Sequence, residues 1–222
     1  MAEYESPEYH PAFEEYCETI YELGEDDVEV IQARIADRLD VSRPAVSEMM
    51  KRMEGEGLIE TGRQISLTAS GLRLAETVVR RHRLAERFLT DILGLSWAEA
   101  HQEAGKWEHV ISPAVEKAMM ERLDGPTTCP HGNPIPGTDY VAPDMVALVA
   151  IDVGHQFTVQ RITEELEFID GMLDFLEQAS ITPGSRGTVL AVGPDGTATL
   201  EIGDSPVGVG EFAAARILVS AA

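Results

Sequence analysis

The segment HQEAGKWEHV, residues 101–110, places two histidines and two glutamates in an amphipathic stretch. On a helix, positions 101, 105, 108 and 109 fall on one face, at i, i+4, i+7 and i+8. His101, Glu108 and His109 would then point the same way, with Gly105 between them. RRHRLAER carries a second pair, His82 and Glu86, at i and i+4. Imidazole and carboxylate on neighbouring helices form a donor set for a first-row divalent cation such as Mn, Fe, Zn or Ni. The competing reading is salt-bridged residues on partly exposed helix faces, and spacing alone does not separate the two.

The elements that must position these residues can be read from periodicity. AFEEYCETIYEL (12–23) puts Phe13, Tyr16, Ile20 and Leu23 on one helical face. VIQARIADRL (30–39) repeats apolar residues at helical spacing, and DVS turns the chain into a second short helix that ends at Gly55. Ser42 suits an N-cap, and Pro44 a first helical turn, where its missing N–H costs nothing. That is helix-turn-helix spacing. LIETGRQISLT follows as two short strands around TGRQ, a wing. Arg43, Lys51 and Arg52 lie on or beside the second helix and Arg63 in the wing, where they could meet DNA, while Arg34 and Arg38 on the preceding helix could meet phosphates.

A long helix is expected from Thr68 through Leu93, another from the SWAE capping box at 96–99, and a third from Ser112. GPTTCPHGNPIPGTDYVAP, 125–143, is rich in Pro and Gly and reads as a linker. Beyond it VALVAI, FTVQRI, RGTVLAV, TATLEI and ARILVS read as strands, with one helix near 169–178, which suggests a small barrel. The fold class is mainly α with a small β domain. The expected divisions are a winged helix-turn-helix over 1–75, a helical domain with its linker over 76–143, and a β domain over 144–222.

The formal net charge is −22. A solvated acidic surface is the ordinary reading, and a chain from a halophile, kept soluble in molar salt, the narrower one. No apolar run reaches the roughly 18 residues of a membrane span, and the acidic start, MAEYESPEYH, is not a secretion signal. Cys17 and Cys129 are isolated, which fits a reducing cytoplasm.

IQARIADRLDVSRPAVSEMMKRMEGEGLI, then RHRLAERFLTDILGL, then WEHVIS and GNPIPG resemble, in order and over nearly the whole chain, the diphtheria toxin repressor and iron-dependent regulator family. The C-terminal segment with DFLEQASITPGSRGTVL resembles the SH3-like domain that ends its longer members. The resemblance implies a cytoplasmic, homodimeric, metal-activated repressor with a winged helix-turn-helix, a helical dimerisation domain and an SH3-like barrel. It implies Mn²⁺ or Fe²⁺ at up to two sites per subunit and a palindromic operator, with no membrane and no small-molecule substrate. His82, Glu86 and His101 match an ancillary metal site, for which Asp170 is the expected C-terminal contribution. Glu108 and His109 match the primary, activating site. Glu15 stands where iron regulators carry methionine and Gly105 where they carry cysteine, whereas manganese regulators are acidic at both. A further manganese-type glutamate matches Glu18. Ser42, Pro44, Ala45, Ser47 and Glu48 occupy DNA-facing positions.

The set Glu15, Glu18, Glu108 and His109 is hard, which suits Mn²⁺ or Fe²⁺. Two alternatives remain at this point. One is a hydrolytic metalloenzyme, which would need an open coordination position in a substrate cleft, and no nucleophile motif accompanies the clusters. The other is a DNA-binding scaffold whose primary site, lacking a ligand at 105, is vestigial.

Overall fold

A computed structural model describes residues 11–203 and 205–221; the acidic start MAEYESPEYH lies outside them. The N-terminal part is helical. Helix α1 (Pro11–Glu25) packs Phe13, Tyr16, Cys17, Ile20 and Leu23 against α2 (Gln32–Arg38), α3 (Arg43–Gly55) and the wing strands β1 (Ile59–Thr61) and β2 (Ile65–Leu67). The Ser42 hydroxyl accepts from the Ala45 amide at 3.3 Å and Pro44 sits in the first turn, so α3 starts where its cap predicts. Val46, Met50 and Met53 face inward, which leaves the opposite side of α3 in solvent.

Thr68 caps the long helix α4 (Ala69–Asp91). Its first turn crosses the wing so closely that a Cβ on Gly71 would lie 2.0 Å from the Leu58 carbonyl oxygen. We expect Gly71→Ala to force backbone apart and cost roughly 1–3 kcal/mol, the usual range for overpacking, read from the urea midpoint. A neutral or stabilising effect would show that the wing yields freely.

Helices α5 (Trp97–Trp107) and α6 (Pro113–Arg122) pack on α4 around Leu84, Leu89, Ala100, Ala104, Ile111 and Met119. The capping box at Ser96 and Glu99 is present. α5 stops at Trp107, because Ser112 and Pro113 start a new helix shortly after. Glu108 still has helical backbone angles, whereas His109 lies in the turn beyond, outside the continuous helix expected there.

The C-terminal part is a six-stranded antiparallel sheet in the order β3-β8-β4-β5-β6-β7. Its strands are β3 (Val146–Ala147), β4 (Gln156–Ile162), β5 (Arg186–Val192), β6 (Ala198–Ile202), β7 (Ser205–Val209) and β8 (Ile217–Ala221). Among the described residues no ladder joins β3 to β7, so the closed barrel expected from the strand pattern is not seen. VALVAI yields only the two residues of β3 before a 3₁₀ turn at Leu148–Ala150 buries Leu148. At the other edge β7 carries Pro206, which has no N–H to offer a further strand. The helix expected near 169–178 is α8 (Met172–Gln178), which starts after Gly171 at φ 75°, and a separate short helix, α7 (Glu164–Glu167), precedes it. A last short helix, α9 (Glu211–Ala214), precedes β8.

Two features join the parts. Trp97, in the first turn of α5, packs into the hydrophobic cluster of the β domain, and this brings His101, one turn later, to α7. The segment expected to be a linker is buried at its centre, from Cys129 through Pro130, His131 and Gly132 to Asn133. The loop lies against β4, where the Ile162 amide donates to the His131 carbonyl at 2.8 Å. Gly132 has φ 91°, and a Cβ there would sit 2.2 Å from the Gln160 carbonyl oxygen, so only glycine fits.

Candidate metal centre

Buried donors from α1, α4, α5, the 129–133 loop and α7 converge between the helices and the sheet. His82 on α4 is the hinge of the arrangement. Its Nδ1 lies 2.5 Å from Glu108 Oε2, and its Nε2 lies 3.2 Å from Glu86 Oε1 and 3.3 Å from His101 Nδ1. Three groups have donor atoms close enough to share one ion: Glu18 with His82 and Glu108, His82 with Glu86 and His101, and Glu86 with Cys129 and His131.

Around the first group a cavity of about 310 Å³ is lined by Glu15, Glu18, Gly105, Glu108 and His109 among others. Glu15 is solvent-exposed, and it is Glu14, not singled out from the sequence, that reaches His109 Nδ1, at 2.6 Å. Around the other groups Glu167 of α7 enters, its Oε2 3.3 Å from His101 Nδ1 and 2.9 Å from His131 Nδ1. Asp170, expected as the C-terminal contribution, is in none of the three groups. It lies past the end of α7 and lines a small cavity beside His101. The α7 helix aims Glu164 and Glu167 inward, and the chain has turned away by residue 170.

The buried carboxylates and imidazoles shift one another strongly. Burial raises Glu18 well above the usual carboxylate range, and Glu108 and Glu22 push it further. Burial alone would raise Glu86, yet His131 and His82 hold it well below that range. Burial opposes a charge on His82, but Glu86 and Glu108 overcome it and raise the imidazole. Glu18 Oε1, Glu167 Oε2 and both ring nitrogens of the fully buried His131 have no well-aligned hydrogen bond. Orphaned buried donors of these types, gathered together, fit metal ligation better than they fit a structural network.

These groups set a pH dependence. Burial, reinforced by Glu167, raises Glu164 to about 7, and burial raises Asp26 to about 6 against the pull of Arg161. Burial opposes a charge on His101, but hydrogen bonds to Glu167 and Glu86 raise it to about 10. All three bind protons more tightly folded than unfolded, so each contribution is complete below the unfolded pKa and lost as pH rises through the folded one. Without metal, the urea midpoint should therefore fall steadily between about pH 5 and about pH 9. Saturating Mn²⁺ should flatten the part of the fall that belongs to His101, since ligation displaces its proton, and leave the parts due to Glu164 and Asp26. A midpoint that rises with pH in the metal-free protein would contradict these assignments.

In the N-terminal part, Arg34, Ser42, Arg43, Pro44, Ala45, Glu48, Lys51, Arg52 and Arg63 are exposed and Ser47 half-buried; Arg34 also lines the cavity that reaches Phe168 and Asp170 of the β domain. Arg38 is not among the exposed residues. Its side chain is buried between domains, 3.4 Å from Glu22 and stacked 4.1 Å from the centre of the Phe168 ring. It cannot serve the phosphate contact expected of it while that seam is closed.

Residues 9–64 match the family model for the iron dependent repressor N-terminal DNA binding domain. Residues 68–137 match the iron dependent repressor metal binding and dimerisation domain. The iron-dependent repressor IdeR of Mycobacterium tuberculosis is 41% identical over 202 residues, covering 85% of this chain and 87% of the relative. The chain belongs to the iron-dependent repressor family. The diphtheria toxin repressor of Corynebacterium diphtheriae is 48% identical to this family member over 128 residues, 57% of each chain. Among solved structures, a manganese-dependent transcriptional repressor in complex with manganese superposes on the repressor with a TM-score of 0.85 at 33% identity, covering 95% of this chain and 100% of that one. The manganese regulator SloR gives 0.74 at 29% identity, covering 95% and 98%.

Proposed function

We propose that operator binding by this repressor is switched at Glu18, Glu108 and His109, with Glu14, Glu15 and His82 around them. The chain is a metal-dependent transcriptional repressor, not an enzyme, that regulates iron or manganese homeostasis through Mn²⁺ or Fe²⁺ and binds operator DNA as a homodimer. The observation that carries the choice of residues is the convergence of buried carboxylates from α1 and α5 on His82, with orphaned oxygens and no neutralising arginine in contact. A divalent cation there supplies positive charge that the two buried carboxylates, Glu18 and Glu108, draw from no arginine. Glu18 belongs to α1, whose other face holds the core of the DNA-binding part, and Glu108 belongs to the helical body. Drawing the two together fixes the angle at which α3 is presented. The exposed side of α3, with Arg34, Arg43, Lys51, Arg52 and Arg63, is the proposed DNA surface, and Arg38 is excluded from it. Two such surfaces in a dimer would meet major grooves about 34 Å apart on a palindrome.

The second cluster, Glu86, Cys129 and His131 with His101 and Glu167, is the proposed ancillary site. It ties the 129–133 loop and α7 to α4. The three hydrophobic clusters support domain divisions near 75 and 143, and the β domain is of SH3-like type on this reading, open between β3 and β7. No helix among the described residues is long and apolar enough to cross a membrane, and both cysteines are free, so we place the protein in the cytoplasm.

Titrating Mn²⁺ and Fe²⁺ against operator binding by the purified dimer tests the switch. Binding should strengthen with either metal and weaken on chelation. Operator affinity that ignores metal would instead mark a DNA-binding scaffold with a vestigial site.

A further inference from the structure

On the face of α5 that carries His101 and Glu108, Gly105 offers no side-chain donor. It is exposed, while Glu108, one turn on, keeps only 4% of its surface. A Cβ built on Gly105 meets nothing within 4 Å, so the helix surface there borders open space rather than packing. That space belongs to the cavity of about 310 Å³ whose wall includes Glu15, Glu18, His82, His101, Glu108 and His109. A water takes about 30 Å³ in the liquid, so the cavity has room for several. Glu18 Oε1 is buried in the same wall without a hydrogen-bond partner.

We propose that Gly105 leaves a coordination position of the primary-site cation to exchangeable water from this cavity. The inference rests on the assignment of that cation to Glu18, Glu108 and His109. Mn²⁺ and related hard ions favour octahedral, oxygen-rich coordination. Glu15, Glu18, Glu108 and His109 are the wall donors assigned to the cation, and His82 Nδ1 is turned onto Glu108. Such a set falls short of six unless carboxylates chelate through both oxygens, and the missing side chain opens the gap toward solvent. Water is the occupant at hand, because position 105 is exposed and nothing stands within 4 Å of a Cβ there. The same opening gives chelators and competing ions a path to the metal, so the sensor re-equilibrates quickly.

The test uses the full-length dimer loaded with Mn²⁺, comparing wild type, Gly105→Ala and Gly105→Asp by water-proton relaxation and by electron paramagnetic resonance in isotopically labelled water. The ancillary cluster contributes equally to all three and drops out of the comparison. Wild type and Gly105→Ala should show at least one exchangeable water on the primary ion. Gly105→Asp, whose carboxylate enters the open space, should show one fewer and release Mn²⁺ to a chelator more slowly. No exchangeable water in wild type, or equal counts in all three, overturns the proposal while leaving the site assignment intact. If Glu108→Gln binds Mn²⁺ at the same stoichiometry and affinity as wild type, the assignment itself fails and the proposal with it.

Discussion

Glu108→Gln should abolish the metal response of operator binding while leaving the metal-free fold intact. Glu108 is 4% exposed and touches both histidines of its site, with Oε2 2.5 Å from His82 Nδ1 and Oε1 3.2 Å from His109 Nε2. The amide keeps the shape and one hydrogen bond to His82 but removes the charge that a hard cation needs. Loss of an outer-sphere partner costs about 10–100-fold in metal affinity, so loss of a direct carboxylate should cost at least about 100-fold. Removing one of the buried carboxylates also relieves Glu18, which Glu108 pushes upward, so the metal-free protein should not be badly destabilised. Cys129→Ser makes the contrast. It leaves every donor of the primary cluster in place and removes the only sulfur from the second, so the Mn²⁺ response should persist while affinity for thiophilic ions such as Zn²⁺ falls. The measurement is operator affinity against free Mn²⁺ and Zn²⁺ for the three chains, with circular dichroism as the check on folding. A wild-type Mn²⁺ response from Glu108→Gln would remove the primary-site assignment.

What could be read from the sequence was what local spacing encodes. Ser42, Pro44, the Ser96 capping box and the short apolar run RGTVLAV each place an element by chemistry within a few residues, and β5 spans that last run residue for residue. His82 with Glu86, and His101 with Glu108, share helix faces for the same reason. The contacts that complete the site are not local. Glu167 sits on a four-residue helix with no side-chain cap, and nothing in EELEF tells which carboxylate will turn toward a histidine on a distant loop. Cys129 and His131 stood in a Pro- and Gly-rich segment of the kind that usually runs through solvent, but this one is pinned beneath β4, and its C-x-H spacing was the signal passed over. Arg38 has the right type and position for a phosphate contact. Only the docked β domain, through Phe168, removes it from the surface.

Arg83→Met should cost about 3–5 kcal/mol of stability, the usual penalty for leaving a buried ion pair half-broken. Arg83 has no exposed surface. Its guanidinium donates to Glu25 at 3.1 and 2.6 Å, to Glu164 at 3.2 and 2.8 Å, and to the Pro134 carbonyl at 2.5 Å. These partners come from the end of α1, from α7 and from the buried loop, so one side chain ties the DNA-binding part to the β domain through α4. Arg161 adds a second tie, with Nη2 2.6 Å from Asp26 and 3.0 Å from Glu25 and with Nε donating to Asn133. Without Arg83, Glu25 keeps Arg161, but Glu164, 2% exposed, keeps no cation in contact. Arg83→Lys should recover only part of the loss, because an ammonium cannot reproduce the planar fork. Glu164→Gln added to Arg83→Met should recover more, since it removes the stranded charge. Glu164 already titrates at about 7, raised by burial and then by Glu167, and losing Arg83 raises it further. A raised folded pKa means that stability is retained while the group is protonated and lost as pH climbs through that value, so Arg83→Met should be milder near pH 5 than near pH 8. Arg80→Met is the control, because Arg80 pairs with Glu116 at 2.6 Å while 23% exposed and should cost no more than about 1 kcal/mol for the ion pair. Urea midpoints of the metal-free proteins at both pH values decide it: equal losses for Arg83→Met and Arg80→Met would show that the buried network does not hold the domains together.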